Sequence, residues 1–287
     1  MALEIKPVAE LVKYRLSVAV SFSAVTGFFL AGSNAGPGLL YVAAGVFLLS
    51  SGAAALNQVT ERSSDALMSR TAARPVPSGR ISPASALAIS IFLIGAGSLV
   101  LSLNGILPVT LGLINVFLYN FIYTKLKKIS VLAIVPGGLV GAIPPLIGFV
   151  SAGGNISDPA IVAFSSFMFL WQLPHFWLLI VKYGSEYENA GFASISKVLS
   201  QKQIKYLVFF WVLVSTAFLL LFLFLSANTE RWLVITIALL NLAFISLFYL
   251  MLFREHDGQI RKAFLLINIF SIIVMIILIA ASLAGAV

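Results

Sequence analysis

The chain has 287 residues, 60% of them hydrophobic and 10% charged, whereas a soluble domain carries about 25% charged residues; a water-soluble globule is excluded. It has no cysteine, which removes disulfides, zinc–thiolate centres, iron–sulfur clusters and cysteine nucleophiles. The net charge of +8 would suit nucleic acid, but the placement of the basic residues argues for a lipid bilayer and against a nucleic-acid partner.

A helix needs about 20 mostly apolar residues to span a bilayer. Nine such blocks are read in chain order, at about 15–32, 38–57, 83–103, 106–123, 130–151, 159–181, 206–226, 232–253 and 263–285. They lack period-two alternation, which selects helices over a barrel. Turn residues such as Gly32-Ser33-Asn34 and Gly153-Gly154-Asn155 separate them. The expected fold is all-α: a polytopic membrane protein of nine transmembrane helices, a single domain over 1–287. Basic residues set the orientation. Lys6, Lys13 and Arg15 precede the first span, and Arg62, Arg70, Arg74 and Arg80 follow the second. Lys125, Lys127 and Lys128 follow the fourth, Lys182, Lys197, Lys202 and Lys205 the sixth, and Arg254, Arg261 and Lys262 the eighth. Every one of the 18 basic residues except Arg231 thus falls on one side. The expected topology is a cytoplasmic N-terminus and an external C-terminus. The longest polar connections, 58–82 and 182–205, are both cytoplasmic on this reading and are expected to carry the active site.

In the first of these loops, continuation of span two as a helix would put Asn57, Glu61 and Asp65 four residues apart on one face. Three oxygen-bearing side chains in a stripe suit a hard cation such as Mg²⁺, and Arg62, Arg70 and Arg74 beside them suit a phosphate. A solvated loop whose arginines only set topology is the alternative. In span six, Trp171-Gln172-Leu173-Pro174-His175-Phe176-Trp177 places an ionisable group at membrane depth, a functional candidate by default. Pro174 is expected to kink the helix, and the bland counterpart is a histidine hydrogen-bonded to a neighbouring helix. Glu186 lies beyond it. Lys125 and Lys128 either face the same phosphate as the arginines or only mark the cytoplasmic side. In span five, Gly137, Gly138, Gly141, Pro144, Pro145 and Gly148 serve close helix packing or shape a cavity.

These segments resemble the UbiA superfamily of intramembrane prenyltransferases, and within it the haem O synthase subgroup, from Lys13-Tyr14-Arg15-Leu16 to about Gly191. Asn57, Glu61 and Asp65 are similar to the superfamily's Asn-x-x-x-Asp-x-x-x-Asp. The run from Asp65-Ala66-Leu67-Met68 through Arg70-Thr71 to Arg74-Pro75 is similar to the subgroup's pattern, as are Gly141-Ala142-Ile143-Pro144-Pro145 and Pro174-His175-Phe176-Trp177. The resemblance implies a nine-helix UbiA-type bundle in a cell inner membrane. It also implies transfer of farnesyl from farnesyl diphosphate to a vinyl group of haem b, with water addition and release of pyrophosphate. In that reading Asn57, Glu61, Asp65 and Glu186 hold Mg²⁺, Arg62, Arg70, Arg74, Lys125 and Lys128 hold the diphosphate, and His175 serves the haem or the water. A haem A synthase or terminal oxidase would be an assembly partner. Two departures stand out: Glu61 replaces the usual aspartate, and Gly191-Phe192-Ala193-Ser194-Ile195-Ser196 replaces a proline-containing run. The alternatives are a quinone-precursor or chlorophyllide acceptor and, in another class, a secondary transporter.

Overall fold

The structure, a computed structural model, describes residues 5–189, 191–193, 195–254 and 259–287. Among them every regular element is helical. A short α1 (Ile5–Leu11) leads into α2 (Tyr14–Leu30) and α3 (Pro37–Thr60), and a single turn, α4 (Arg62–Asp65), follows. Next come α5 (Pro83–Ser102) and α6 (Ile106–Phe117), the latter extended by a π-helical stretch, Leu118–Tyr123, and by α7 (Thr124–Leu126). The remaining α-helices are α8 (Ile134–Ser151), α9 (Pro159–Asn189), α10 (Gln201–Leu225), α11 (Arg231–Phe253) and α12 (Gln259–Leu283), with short 3₁₀ turns at Val131–Ala133 and Ile195–Lys197. Eight of the described helices are long and apolar enough to cross a bilayer, and Tyr14–Leu30 is a shorter apolar helix beside them. They coincide with the nine expected spans, and the chain is an all-α membrane protein.

Helix starts follow local chemistry. Pro37 and Pro83 stand at the first positions of α3 and α5, where the missing N–H costs nothing. Ser200 and Gln203 form a reciprocal capping box on α10, so Lys202 and Lys205, expected in the loop, lie in its first two turns. Two differences concern α9. It runs through Pro174 without leaving helical geometry, and the break falls at Tyr183 instead (φ −122°, ψ 17°). It also continues to Asn189, into the expected loop. Ser194, in the departing run, lies outside the described residues.

Glycines let the helices touch. A Cβ at Gly27 on α2 would overlap the Pro145 carbonyl of α8, and one at Gly148 on α8 would overlap the Ala24 carbonyl of α2. The second-half helices pack around Phe164, Phe167, Trp171, Phe222, Phe244 and Phe270. A separate apolar cluster joins α2, α3, α6 and α8 through Phe28, Val42, Val46, Leu49, Val109 and Ile147. The cavity that holds the candidate site is walled by α2, α3, α6, α8 and α9, and it borders the second cluster at Val46, Leu49 and Ile147.

Candidate active site

Asn57 sits on the last turn of α3, Glu61 caps that helix outside helical geometry (φ −102°, ψ 6°), and Asp65 closes α4. The break does not scatter them. Glu61 N donates to Asn57 O at 3.0 Å and Asp65 N to Glu61 O at 2.8 Å, so the i→i+4 stripe expected from spacing survives. All three are 2–3% exposed and face a cavity of about 300 Å³.

Cations close around this stripe. Arg74 Nη1 lies 2.7 Å from Asp65 Oδ2. Lys127 Nζ lies 2.6 Å from Glu61 Oε1 and donates to Oε2 at 2.8 Å. Asn57 Nδ2 donates to Glu61 Oε2 at 2.9 Å and to Thr124 Oγ1 at 3.2 Å. Lys13 Nζ donates to Asn57 Oδ1 at 3.1 Å and to Tyr119 Oη at 3.3 Å. Lys13 takes left-handed backbone (φ 45°, ψ 51°), a conformation that costs a residue with a Cβ about 1–2 kcal/mol. It turns the chain between α1 and α2, where Gln58 Nε2 donates to the Glu10 and Leu11 carbonyls, each at 3.1 Å. Burial pushes the Lys13 amine down to about 7, with the positive charges of Arg74 and Lys127 adding to the effect. Burial also depresses Lys127, against the opposing pull of Glu61.

The structure sorts the remaining expectations. Arg70 and His175 line the cavity; the Arg70 guanidinium stands 6.0 Å from the centre of the Tyr183 ring. Arg62 is exposed and does not line the cavity, because a residue adjacent to Glu61 in a helical turn cannot share its face. Lys125 and Lys128 are likewise exposed and outside the lining, and Lys127 takes the place given to them. Lys127 stands four residues after Tyr123 and shares its face, and the wider turn of the π-helical stretch 118–123 offsets the α-helical drift along Asn115, Tyr119, Tyr123 and Lys127, four apart on the cavity wall. Glu186 is not gathered with the other acids. Its Oε2 accepts from Ser69 N at 3.1 Å and Ser69 Oγ at 2.7 Å, tying α9 to the segment that carries Arg70 and Arg74. Among the described residues no three Asp, Glu, His or Cys stand together as a metal site. The donor set that fits Mg²⁺ is therefore two carboxylates plus the Asn57 amide oxygen, all hard oxygen ligands.

Away from the acids the wall turns apolar, with Val20, Val46, Leu49 and Ile147 among its residues. One side is aromatic and polar: the His175 ring lies 4.5 Å from that of Phe264, and Phe176 lies 5.7 Å from Tyr123. Gly137 and Gly141 make this side possible, since a Cβ there would stand 2.9 Å from the Tyr123 ring and 2.6 Å from the Gln172 amide. Lys13, Tyr119 and Gln172 were not among the expected site residues. Lys127 was visible only as part of a basic cluster.

Residues 20–282 match the UbiA prenyltransferase family. Among curated relatives, the protoheme IX farnesyltransferase of Geobacter sulfurreducens is 42% identical over 177 residues, covering 62% of this chain and 66% of that protein. That of Oleidesulfovibrio alaskensis is 37% identical over 188 residues, 65% of this chain and 67% of that protein. The mitochondrial protoheme IX farnesyltransferase of Arabidopsis thaliana is 38% identical over 191 residues, 65% of this chain and 44% of that protein. The alignments thus span about two thirds or less of each of these relatives. A solved digeranylgeranylglyceryl phosphate synthase superposes with a TM-score of 0.77 at 20% identity, over 98% of this chain and 99% of that one. A UbiA homologue from Archaeoglobus fulgidus, bound to GPP and Mg²⁺, does so with a TM-score of 0.77 at 13% identity, over the same shares of the two chains.

Proposed function

Because the chain belongs to the UbiA prenyltransferase family, we propose that it moves the farnesyl group of farnesyl diphosphate onto a vinyl group of haem b. The observation that carries this reading is the shape and charge of the cavity. A buried acidic stripe ringed by Lys13, Arg74 and Lys127 opens onto an apolar shaft, which suits an amphiphile with a diphosphate head and a hydrocarbon tail. The names of the relatives support haem b as acceptor.

Asn57, Glu61 and Asp65 would hold Mg²⁺, which supplies positive charge at the leaving diphosphate when bound. Arg70, Arg74, Lys13 and Lys127 bind the diphosphate oxygens, so Lys13 and Lys127 take the place first given to Arg62, Lys125 and Lys128. Their fixed charges stabilise the oxygen that leaves when the farnesyl C–O bond breaks. The apolar shaft excludes water from the allylic cation that remains. The terminal vinyl carbon attacks farnesyl C1, water adds its oxygen to the inner vinyl carbon and loses a proton, and pyrophosphate departs. His175 and Gln172 orient the macrocycle or the water. Glu186, engaged by Ser69, holds the cap over the diphosphate. Seventeen-to-one basic asymmetry about the spans supports a cytoplasmic mouth in a cell inner membrane, with a haem A synthase or terminal oxidase as the class of assembly partner.

The test is incubation of the purified protein with farnesyl diphosphate, Mg²⁺ and either haem b or a 4-hydroxybenzoate-type acceptor, followed by mass spectrometry. A haem carrying farnesyl plus water is the expected product. Prenylated aromatic product with unmodified haem would replace the acceptor, and no prenylated product of either kind would overturn the reading.

A further inference from the structure

The shaft has a floor. Along α3 the cavity lining runs from Glu61 through Asn57, Ala53 and Leu49 to Val46. At 1.5 Å per residue this places Leu49 about 12 Å and Val46 about 16 Å below Asn57. Opposite them on α6 stands Gly112, also in the lining. A Cβ at Gly112 would lie 2.6 Å from Leu49 Cδ1, 3.5 Å from Leu101 Cδ2 and 4.0 Å from Ile147 Cδ1. The next residues down, Val42, Leu101 and Val109, are 0–8% exposed and belong to the packed cluster, and none of them lines the cavity. The shaft therefore narrows where the side chain of Leu49 lies across Gly112 and ends at Val46, with the packed cluster of Val42, Leu101 and Val109 beneath.

We propose that Leu49 and Gly112 set the length of prenyl chain the protein accepts, an inference that rests on its being a prenyl-diphosphate enzyme. A blind apolar shaft selects length from both ends. A shorter chain leaves apolar wall unfilled and forfeits burial, while a longer one must displace core packed at native density. Gly112 matters because it lets Leu49 narrow the shaft at this depth. Adding one methyl at Gly112 pushes the Leu49 side chain up into the shaft. Truncating Leu49 removes the constriction and opens the space above Leu101.

The experiment measures binding, so it does not depend on the acceptor. Purified protein in nanodiscs with Mg²⁺ is loaded with radiolabelled farnesyl diphosphate and competed with geranyl, farnesyl and geranylgeranyl diphosphates. The wild type should favour farnesyl. Leu49→Ala should shift the geranylgeranyl-to-farnesyl preference upward by roughly tenfold or more, the scale on which a few buried methylenes count. Gly112→Ala should shift the farnesyl-to-geranyl preference downward by a similar factor. The opposite signs separate a ruler from general destabilisation, which would weaken all three ligands together. Val42→Ala, in the same cluster but outside the lining, should leave the preference unchanged. A wild type that binds the labelled ligand while its preferences stay fixed in both variants would overturn the ruler and leave the prenyl-transfer reading standing. A wild type that binds no prenyl diphosphate would overturn both.

Discussion

Replacing Lys127 by methionine tests the register that the π-helical stretch imposes. Methionine keeps an unbranched stem against the Tyr123 and Phe192 rings, which lie 5.3 and 5.2 Å from Nζ, and removes the charge together with its N–H donors. In wild type that charge sits 2.6 Å from Glu61 Oε1, with the Lys127 side chain 20% exposed and that of Glu61 3% exposed. Removing one partner of a buried pair costs about 3–5 kcal/mol. The fifth of Lys127 that remains accessible, and the open cavity beside it, reduce this to about 2 kcal/mol of stability. A hydrogen bond to an ionised group contributes about 1.5–3 kcal/mol. Lys127→Met should accordingly lower kcat/KM for farnesyl diphosphate by roughly 10- to 150-fold. Thermal melting should show the protein still folded. The assay is chromatography of extracted haem against time, at limiting farnesyl diphosphate, in nanodiscs. The double variant Lys125→Ala/Lys128→Ala should retain wild-type kcat/KM. Equal loss in the double variant, or none in Lys127→Met, would refute the assignment of the cavity-facing lysine.

Other outcomes follow from the same geometry. Ser69→Ala removes one of the two hydrogen bonds to Glu186 and should raise KM for farnesyl diphosphate several-fold, with kcat nearly unchanged and faster protease cleavage in the 66–82 segment. Gly148→Ala drives a methyl into the Ala24 carbonyl. Because backbone cannot step aside as a side chain does, it should cost about 3 kcal/mol or more, read as a lowered melting temperature in detergent. Glu61→Gln keeps the side chain's length but removes its charge, and should raise the Mg²⁺ concentration for half-maximal rate at least tenfold, measured by titrating Mg²⁺ into chelator-treated protein.

The spans and the acidic stripe were legible because both depend on local periodicity. Apolar blocks of sufficient length must be helices in lipid, and Asn57, Glu61 and Asp65 need only one continuous i→i+4 ladder. The basic side of the site was not legible to the same degree. Lys125 and Lys128, three apart, share a face with each other, but the face that Tyr119 and Tyr123 present to the cavity continues to Lys127 across the π turn at 118–123. Lys13 reaches Asn57 only because its own backbone is left-handed, which nothing in Val12-Lys13-Tyr14 announces. Glu186, a Mg²⁺ ligand by resemblance, accepts hydrogen bonds from Ser69, 117 residues away in sequence, a contact that no local spacing announces. Pro174 stands inside α9 with helical backbone on both sides, and its neighbours Trp171 and Leu178 are buried against other helices.

The central claim is that the stripe Asn57–Glu61–Asp65 activates a prenyl diphosphate for attack by haem. It is tested most directly by quantifying pyrophosphate and farnesylated haem in the same reaction, for wild type and Asp65→Ala. The account predicts equimolar products from the wild type and neither from Asp65→Ala, with haem b still bound by the variant. Farnesylated haem formed undiminished by Asp65→Ala, or pyrophosphate released by the wild type without any modified haem, would contradict it.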